Sequence, residues 1–360
     1  MQKTLKVIVN LCIVYLIIYL CLFPAEGIAS AKSALKLCLN SVLPALFPYL
    51  VCSGILAGSG ILNILSRYLS PVMMPIFNVP GCGAAAFILG TVSGYPIGAV
   101  CVRDLYLSGF CTKSQADRML AFCNNSGPVF IISVVGIGFL QSPHMGRLLY
   151  ISHVLSAVLT GILLRQSTRS GSRTAPVLPP RQTKAKDVLS LVGTTIDSSV
   201  LTILKICGFV MFFSVFSSSL PKALNTPILH AMLEITGGLA KISQLETGFS
   251  LKMALISFFI AFSGISVMLQ VGGVISGTGL SLNIYIKGKL LQGTLSFFIT
   301  KILVSKLPQT VGAFTEKSTV IPFFQTSYSA LIVSLSMLIF GLLTLALLTL
   351  ISALWQRHCR

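Results

Sequence analysis

The chain has 360 residues, of which 54% are hydrophobic and only 9% are charged, and its mean hydropathy is +0.90. Because a soluble domain carries about 25% charged residues, this composition excludes a water-soluble protein and predicts an integral membrane protein. The apolar runs are long, which favours spanning helices over the short, alternating strands of a β-barrel. The net charge of +18 is attributed to cytoplasmic loops under the positive-inside rule rather than to nucleic-acid binding.

The N-terminal segment, residues 1–36, contains an apolar run from Val7 to Phe23 behind Lys3 and Lys6. The tripeptide Ala29-Ser30-Ala31 resembles a signal-peptidase site. The run is long for a signal-peptide core and short for a typical span. We expect a retained first helix, a signal-anchor with a cytoplasmic N-terminus, and cleavage is the alternative.

Residues 37–164 are predicted to form a first membrane repeat, which begins with a span from Leu37 to Leu65. Two later apolar stretches of this repeat are interrupted by short polar runs. The first interruption is Ser93-Gly94-Tyr95-Pro96-Ile97-Gly98, and the second is Asn124-Asn125-Ser126-Gly127-Pro128. Glycine and proline at membrane depth indicate discontinuous or re-entrant helices.

Residues 165–190 form a basic segment with Ser, Thr and Pro, which predicts a disordered cytoplasmic linker between two membrane halves. Residues 191–304 are predicted to form the second membrane repeat, with a span from about Thr195 to Leu220 and a break at Ser263-Gly264-Ile265-Ser266. Residues 305–360 add a loop and a last span from Leu331 to Trp355. In total we expect roughly eight to ten membrane-embedded elements, some of them not full spans.

An internal repeat is indicated by Ser93-Gly94 and Ser263-Gly264, which match at an offset of 170 residues. The match is weak enough that a chance similarity is the alternative. The charge bias orients corresponding spans in opposite directions. The predicted fold class is therefore an all-α polytopic membrane protein with an inverted repeat and interrupted helices. That arrangement is typical of secondary transporters, whose solute site lies where the breaks meet.

The breaks supply candidate solute contacts, because half-helix N-termini favour anions and because amides and hydroxyls bind a solute without burying a charge. The alternatives are packing kinks and a loop that caps the next helix. Two charged residues are added as candidates. Lys205 either attracts an anion or snorkels to the surface, and Glu234 binds solute or a coupling proton, or lies at the surface near His230 and Lys241. The substrate-binding candidates are Ser93, Gly94, Tyr95, Pro96, Gly98, Asn124, Asn125, Ser126, Gly127, Ser263, Gly264, Lys205 and Glu234.

Catalytic chemistry is not indicated, since the sequence has no Ser-His-Asp pattern, P-loop, dinucleotide-binding motif or metal motif. No segment is long and polar enough to be the nucleotide domain of an ATP-driven pump. We therefore predict a non-enzymatic protein without a cofactor or metal. Arg103 and Asp104, which follow the first break, are expected either to pair with each other or to act in the site.

Three runs together resemble the sporulation integral membrane protein YlbJ family, within a wider group of nucleoside-recognition or Gate-domain membrane proteins. They are Leu43-Pro44-Ala45-Leu46-Phe47-Pro48, Ser93-Gly94-Tyr95-Pro96-Ile97-Gly98-Ala99 and Cys123-Asn124-Asn125-Ser126-Gly127-Pro128-Val129-Phe130. Glu234-Ile235-Thr236-Gly237-Gly238 in the second half is also similar to the family's pattern. The resemblance covers roughly Ser41 to Leu303.

The resemblance implies a role in endospore formation and movement of dipicolinic acid out of the mother cell across the outer forespore membrane. Half-helix N-termini, Asn amides and a buried Lys suit this small planar dianion. The residues alone predict only a small polar or anionic solute in a bacterial cell membrane. The alternatives are a nucleoside transporter and a forespore-membrane assembly protein that does not transport. The expected partners are the lipid bilayer and the solute, without nucleic acid, and homo-oligomerisation stays open.

Overall fold

The computed structural model describes residues 2–44, 47–48, 50–51, 55, 69, 71–166, 188–221 and 224–306. Every regular element within these ranges is a helix, which confirms the predicted all-α polytopic fold. Three predicted features lie wholly or mostly outside the described residues. They are the span from Leu37 to Leu65, the basic linker and the last span from Leu331 to Trp355.

The N-terminal apolar region forms two helices rather than one. Helix α1 covers Gln2–Leu22 and α2 covers Pro24–Leu37, which a π-helical turn at Cys38–Val42 extends. The two helices meet at an angle of 107°. Pro24 occupies the first position of α2, where its missing N–H costs nothing. The tripeptide Ala29-Ser30-Ala31 lies within α2.

The first half continues with helices that are interrupted at both predicted runs. In chain order they are α3 (Pro71–Phe77), α4 (Cys82–Ser93), α5 (Ile97–Leu107), α6 (Lys113–Cys123), a π-helix (Val129–Phe139) and α7 (Pro143–Leu163). We name the junction between α4 and α5 the first break and the junction between α6 and the π-helix the second break. The polar runs found in the sequence therefore do interrupt helices.

The second half contains two more interrupted helices. Its elements are α8 (Val188–Ser219), α9 (Pro227–Leu233), α10 (Ile235–Ser243), α11 (Phe249–Phe262), α12 (Gly264–Ile275) and α13 (Leu282–Ser305). Glu234 separates α9 from α10, and Ser263 separates α11 from α12. Ser93-Gly94 and Ser263-Gly264 thus both lie at helix junctions, as their offset predicts. The inverted orientation of the two halves, and their division into repeats, stay predictions.

Helices α7 and α13 carry polar residues on the inner side and apolar residues on the outer side. On α13, Ser296 and Thr300 are fully buried, whereas Phe298 and Ile302 are 56% exposed. Ser257 of α11 hydrogen-bonds through its hydroxyl to the hydroxyls of Ser296 and Thr300, each at 2.6 Å. On α7 the fully buried polar residues are Ser152, His153, Ser156 and Thr160. A helix with this distribution places its apolar side against lipid.

Membrane-spanning length is found in three helical stretches of the described chain, Pro143–Leu163, Ser190–Ser219 and Phe249–Ile275. The number rises to five if each of two bent helix pairs, α1 with α2 and α3 with α4, is one span. Together with the inward polar faces of α7 and α13, these stretches make the chain a multi-pass membrane protein.

A buried carboxylate joins the two halves. Asp117 of α6, only 3% exposed, accepts a hydrogen bond from Lys113 Nζ at 2.9 Å. Its other oxygen accepts one from the backbone N–H of Ser281 at 2.7 Å, and Ser281 caps the start of α13. Asp117 therefore fixes the position of α13 against α6.

We expect Asp117→Ala to lower the free energy of unfolding by about 2–3 kcal/mol, because hydrogen bonds to a buried charge are lost together. Thermal unfolding of the purified protein in mild detergent measures the loss. Asp104→Ala is the matched control, since Asp104 forms an exposed ion pair with Arg103 at 2.7 Å and such pairs contribute little. That ion pair confirms the expected pairing of these two residues. Equal melting temperatures for the two variants would contradict the role of Asp117.

Candidate functional site

A cavity of about 70 Å³ lies where the helix breaks of the two halves meet. This space is enough for several water molecules. Its wall combines the first and second breaks, the α9–α10 junction, the start of α12 and apolar side chains of α8. Of the predicted site residues, those that line it are Ser93, Gly94, Tyr95, Ser126, Gly127 and Glu234.

The first and second breaks contact each other backbone to backbone at this cavity. Gly94 has a φ of +84°, and a Cβ added to it would lie 3.0 Å from the backbone nitrogen of Gly127. Ser93 is only 2% exposed, and its hydroxyl has no hydrogen-bond partner among the described residues. A buried hydroxyl without a protein partner is costly. Its place in the cavity wall suits it to hydrogen-bond a solute.

Two half-helix N-termini near the cavity are occupied by the protein's own acceptors. The Asn124 side-chain oxygen accepts a hydrogen bond from the backbone N–H of Ala99, in the first turn of α5, at 3.2 Å. The Glu234 carboxylate accepts from the N–H groups of Thr236 at 2.8 Å and Gly237 at 2.7 Å, in the first turn of α10. Asn124 thus caps a helix and does not line the cavity, and the carboxylate of Glu234 is engaged in capping.

The amino end of helix α12 differs from those of α5 and α10, which side chains cap. Its N-cap residue Ser263 has a φ of +73° and makes no side-chain cap hydrogen bond. Ser266 and Val267, in the first turn, and Gln270, one turn later, line the cavity. The partial positive charge of this helix terminus therefore lies at the cavity, which Ser93 also lines. The combination can hold an anionic or polar group.

Asn125 lies behind the cavity wall, in a buried polar network. Its Nδ2 donates to Phe122 O at 2.8 Å and Thr91 Oγ1 at 3.3 Å. Its Oδ1 accepts from Gln292 Nε2 at 2.9 Å and from Lys289 Nζ at 3.4 Å. Asn125 is therefore placed to position side chains of α13 rather than to contact a solute in this cavity.

Tyr285 of α13 joins the breaks of the two halves. Its hydroxyl accepts a hydrogen bond from Asn124 Nδ2 at 3.0 Å and lies 3.4 Å from Ser263 Oγ. Ser263 is fully buried and stands behind the cavity rather than in its wall. The second break and the α11–α12 break are thus linked through one phenol.

The remaining predicted residues have other surroundings. Pro96 directly precedes α5, and Gly98 packs on the backbone of Cys123 and Asn124. Gly264 has a φ of +72° and starts α12. Lys205 is exposed on α8, although its neighbour Ile206 lines the cavity. The structure does not bring the Lys205 side chain to the cavity wall.

The α9–α10 hairpin, which is not among the candidate spans, brings two basic side chains together, those of His230 and Lys241. Lys241 Nζ lies 2.7 Å from His230 Nε2. Burial, together with this neighbouring ammonium, lowers the pKa of His230 to about 4. His230 is therefore neutral at physiological pH. Glu234 does not join this pair, because its carboxylate is directed to the α10 N-terminus.

Several buried polar residues near the cavity were not found from the sequence, above all Lys289, Gln292 and His153. Lys289 was missed because the predicted apolar segment starts at Leu290, directly after it. A signal was nevertheless present, since polar residues recur every three or four positions from Lys289 through Gln292, Ser296 and Thr300. That spacing predicts a polar stripe along one helix face.

Comparison with known proteins finds a curated relative, the sporulation integral membrane protein YlbJ of Bacillus subtilis (strain 168). The two sequences are 29% identical over 318 residues, and the alignment covers 78% of each chain. No protein-family model and no solved structure matches the chain. The alignment bears out the resemblance found from the three sequence runs.

Proposed function

From its place in the YlbJ family of sporulation integral membrane proteins, we propose that this chain moves a small anionic solute across a membrane of the sporulating cell. It does so as a secondary transporter or facilitator, without enzymatic chemistry. The observation that carries the proposal is the cavity at the helix breaks, which is lined by the first turn of α12 and by Ser93, whose hydroxyl has no partner among the described residues.

An anion is favoured over a neutral solute for electrostatic reasons. The amino end of α12 carries partial positive charge, and its backbone N–H groups donate hydrogen bonds. Ser93 and Gln270, which both line the cavity, supply a hydroxyl and an amide as neutral contacts. A carboxylate accepts hydrogen bonds from all these groups.

Dipicolinate is the first solute to test, since the family resemblance implies its movement across the outer forespore membrane. It is a planar dianion whose two carboxylates and pyridine nitrogen are all acceptors. The donors named above suit such a solute. A nucleoside is the second solute to test, because the wider group is related to nucleoside transporters.

The test is uptake of labelled dipicolinate into proteoliposomes that contain the purified protein, with a labelled nucleoside in parallel. Dipicolinate uptake alone is the expected result. Nucleoside uptake without dipicolinate uptake would show that the solute is a nucleoside rather than a small anion. If neither solute enters vesicles that hold demonstrably folded protein, the transport proposal fails and a non-transporting assembly role replaces it.

Ser93→Ala is expected to reduce dipicolinate uptake at least about tenfold without changing the amount of folded protein, because a hydrogen bond to a charged group contributes about 1.5–3 kcal/mol. Initial uptake rates over a range of solute concentrations measure the effect. Ser243→Ala is the matched control, since the Ser243 hydroxyl donates to the carbonyl of Ala240 within α10 and does not line the cavity. Uptake by Ser93→Ala at the wild-type rate would show that this hydroxyl does not contact the solute.

A further inference from the structure

Lys289 of α13 is a fully buried amine surrounded by neutral groups. Its Nζ donates to Gln292 Oε1 at 2.6 Å and to Asn125 Oδ1 at 3.4 Å. The ring centroids of Tyr95 and Tyr285 lie 5.4 Å and 5.8 Å from Nζ. Amide oxygens and aromatic faces attract an ammonium, so the surroundings are built to hold a cation.

No carboxylate compensates this cation in the part of the chain that the structure describes. The ion pairs there join Arg103 to Asp104 and Lys113 to Asp117. Both lie on other helices, and neither includes Lys289. A cation buried without a counter-charge is destabilising in a protein interior and more so at membrane depth. The ammonium form of Lys289 therefore has no counter-charge among the described residues, and a bound anion would stabilise that form.

Tyr95 places this charge beside the cavity. The residue lines the cavity wall, and its ring also lies over Lys289 Nζ. Its hydroxyl donates a hydrogen bond to the carbonyl of Ile260 at 3.1 Å, which fixes the ring in that position. Tyr95 thus borders both the Lys289 ammonium and the cavity. The field of the ammonium therefore reaches the cavity through a medium of low polarity, where charges interact strongly.

We propose that Lys289 is the counter-charge that selects anionic solutes in this cavity. A carboxylate of the bound solute supplies the negative charge that the protein lacks, and Tyr95 separates the two charges. The inference rests on the proposed function, and it names the residue that sets the preference for anions. Lys289 acts through the field across Tyr95 and is a specificity residue rather than a contact of the solute.

The proposal predicts that affinity rises with the negative charge of solutes of similar shape. Pyridine-2,6-dicarboxylate should bind most tightly, pyridine-2-carboxylate less tightly and the neutral pyridine-2,6-dicarboxamide most weakly. Replacing Lys289 with methionine should weaken binding of the dianion by about thirtyfold or more and binding of the monoanion by less. Binding of the dicarboxamide should not change.

The experiment measures equilibrium binding of the three pyridine compounds to the full-length protein in lipid nanodiscs. Wild type, Lys289→Met and Lys289→Arg are compared, and Lys289→Arg is expected to keep the order of affinities. Lys205→Met is the matched control, because Lys205 is exposed on α8 and away from the cavity wall. Its affinities should equal those of wild type.

The outcomes separate the two proposals. If wild type binds none of the three compounds, the proposed function fails and this inference fails with it. If wild type binds the dianion and Lys289→Met binds it equally well, the inference fails while the proposed function stands. The charge series on wild type still tests the inference when Lys289→Met does not fold, since equal affinity for the dicarboxylate and the dicarboxamide overturns it.

Discussion

Gly90→Ala is expected to remove nearly all folded protein from the membrane. A Cβ at Gly90 of α4 would lie 1.7 Å from the backbone oxygen of Cys123 and 2.9 Å from the Cα of Gly98. Both obstacles are backbone atoms, so no side-chain rotation relieves the overlap. The first break and the end of α6 would have to move apart, which undoes the packing that forms the cavity.

Gly208→Ala is the matched control for this prediction, because a Cβ at Gly208 of α8 meets nothing within 4 Å. This variant should fold as wild type does, and alanine should favour the helix by about 0.8–1.0 kcal/mol. Size-exclusion chromatography in mild detergent and thermal unfolding measure both variants. A monodisperse Gly90→Ala protein with the wild-type melting temperature would contradict the close approach of α4 to Cys123.

Asn125→Ala is expected to lower both the melting temperature and solute uptake. The sequence alone predicts that Asn125 contacts the solute. On that prediction, Asn125→Ala should reduce transport without reducing the amount of protein in the membrane. The contacts of Asn125 change that expectation, because its amide supports Lys289 and Gln292. Removing it takes one hydrogen-bond partner from each of several buried polar groups, at a cost of about 3 kcal/mol.

Thermal unfolding and uptake by the same preparation test this expectation. Asn283→Ala is the control, since Asn283 is exposed in the first turn of α13 and should tolerate the change. If Asn125→Ala unfolds at the wild-type temperature yet loses uptake, Asn125 contacts the solute directly and the structural assignment is wrong.

The helix breaks could be predicted from the sequence because their causes are local. Glycine and proline change the backbone where they stand, so Ser93-Gly94 and Ser263-Gly264 are recognisable in an apolar stretch. The membrane setting likewise follows from composition. The N-terminal bend at Pro24 was not predicted, although proline commonly starts a helix, because the apolar run ending at Phe23 was the stronger signal.

The roles within the breaks depend on how helices pack, which the sequence does not reveal. Asn124, Asn125 and Ser126 are consecutive, yet one caps α5, one supports α13 and one lines the cavity. Which lysine is buried near the cavity also depends on how the helices pack. For Lys205, which stands in a long apolar run, the sequence leaves an anion contact and snorkelling to the surface open, and the side chain is exposed. The buried amine is Lys289, which stands close to Lys287 at the start of α13.

The hydroxyl contacts of Ser257 with Ser296 and Thr300 bear on which helices are free to move. Pulling α13 away from α11 would expose these hydroxyls to hydrocarbon, where no water replaces their partners. If the chain transports a solute as proposed, the pair should therefore stay together throughout the cycle and serve as a stationary frame. Any rocking then falls to the short half-helices that begin or end at a break, where Gly94 and Gly264 have positive φ and supply backbone freedom.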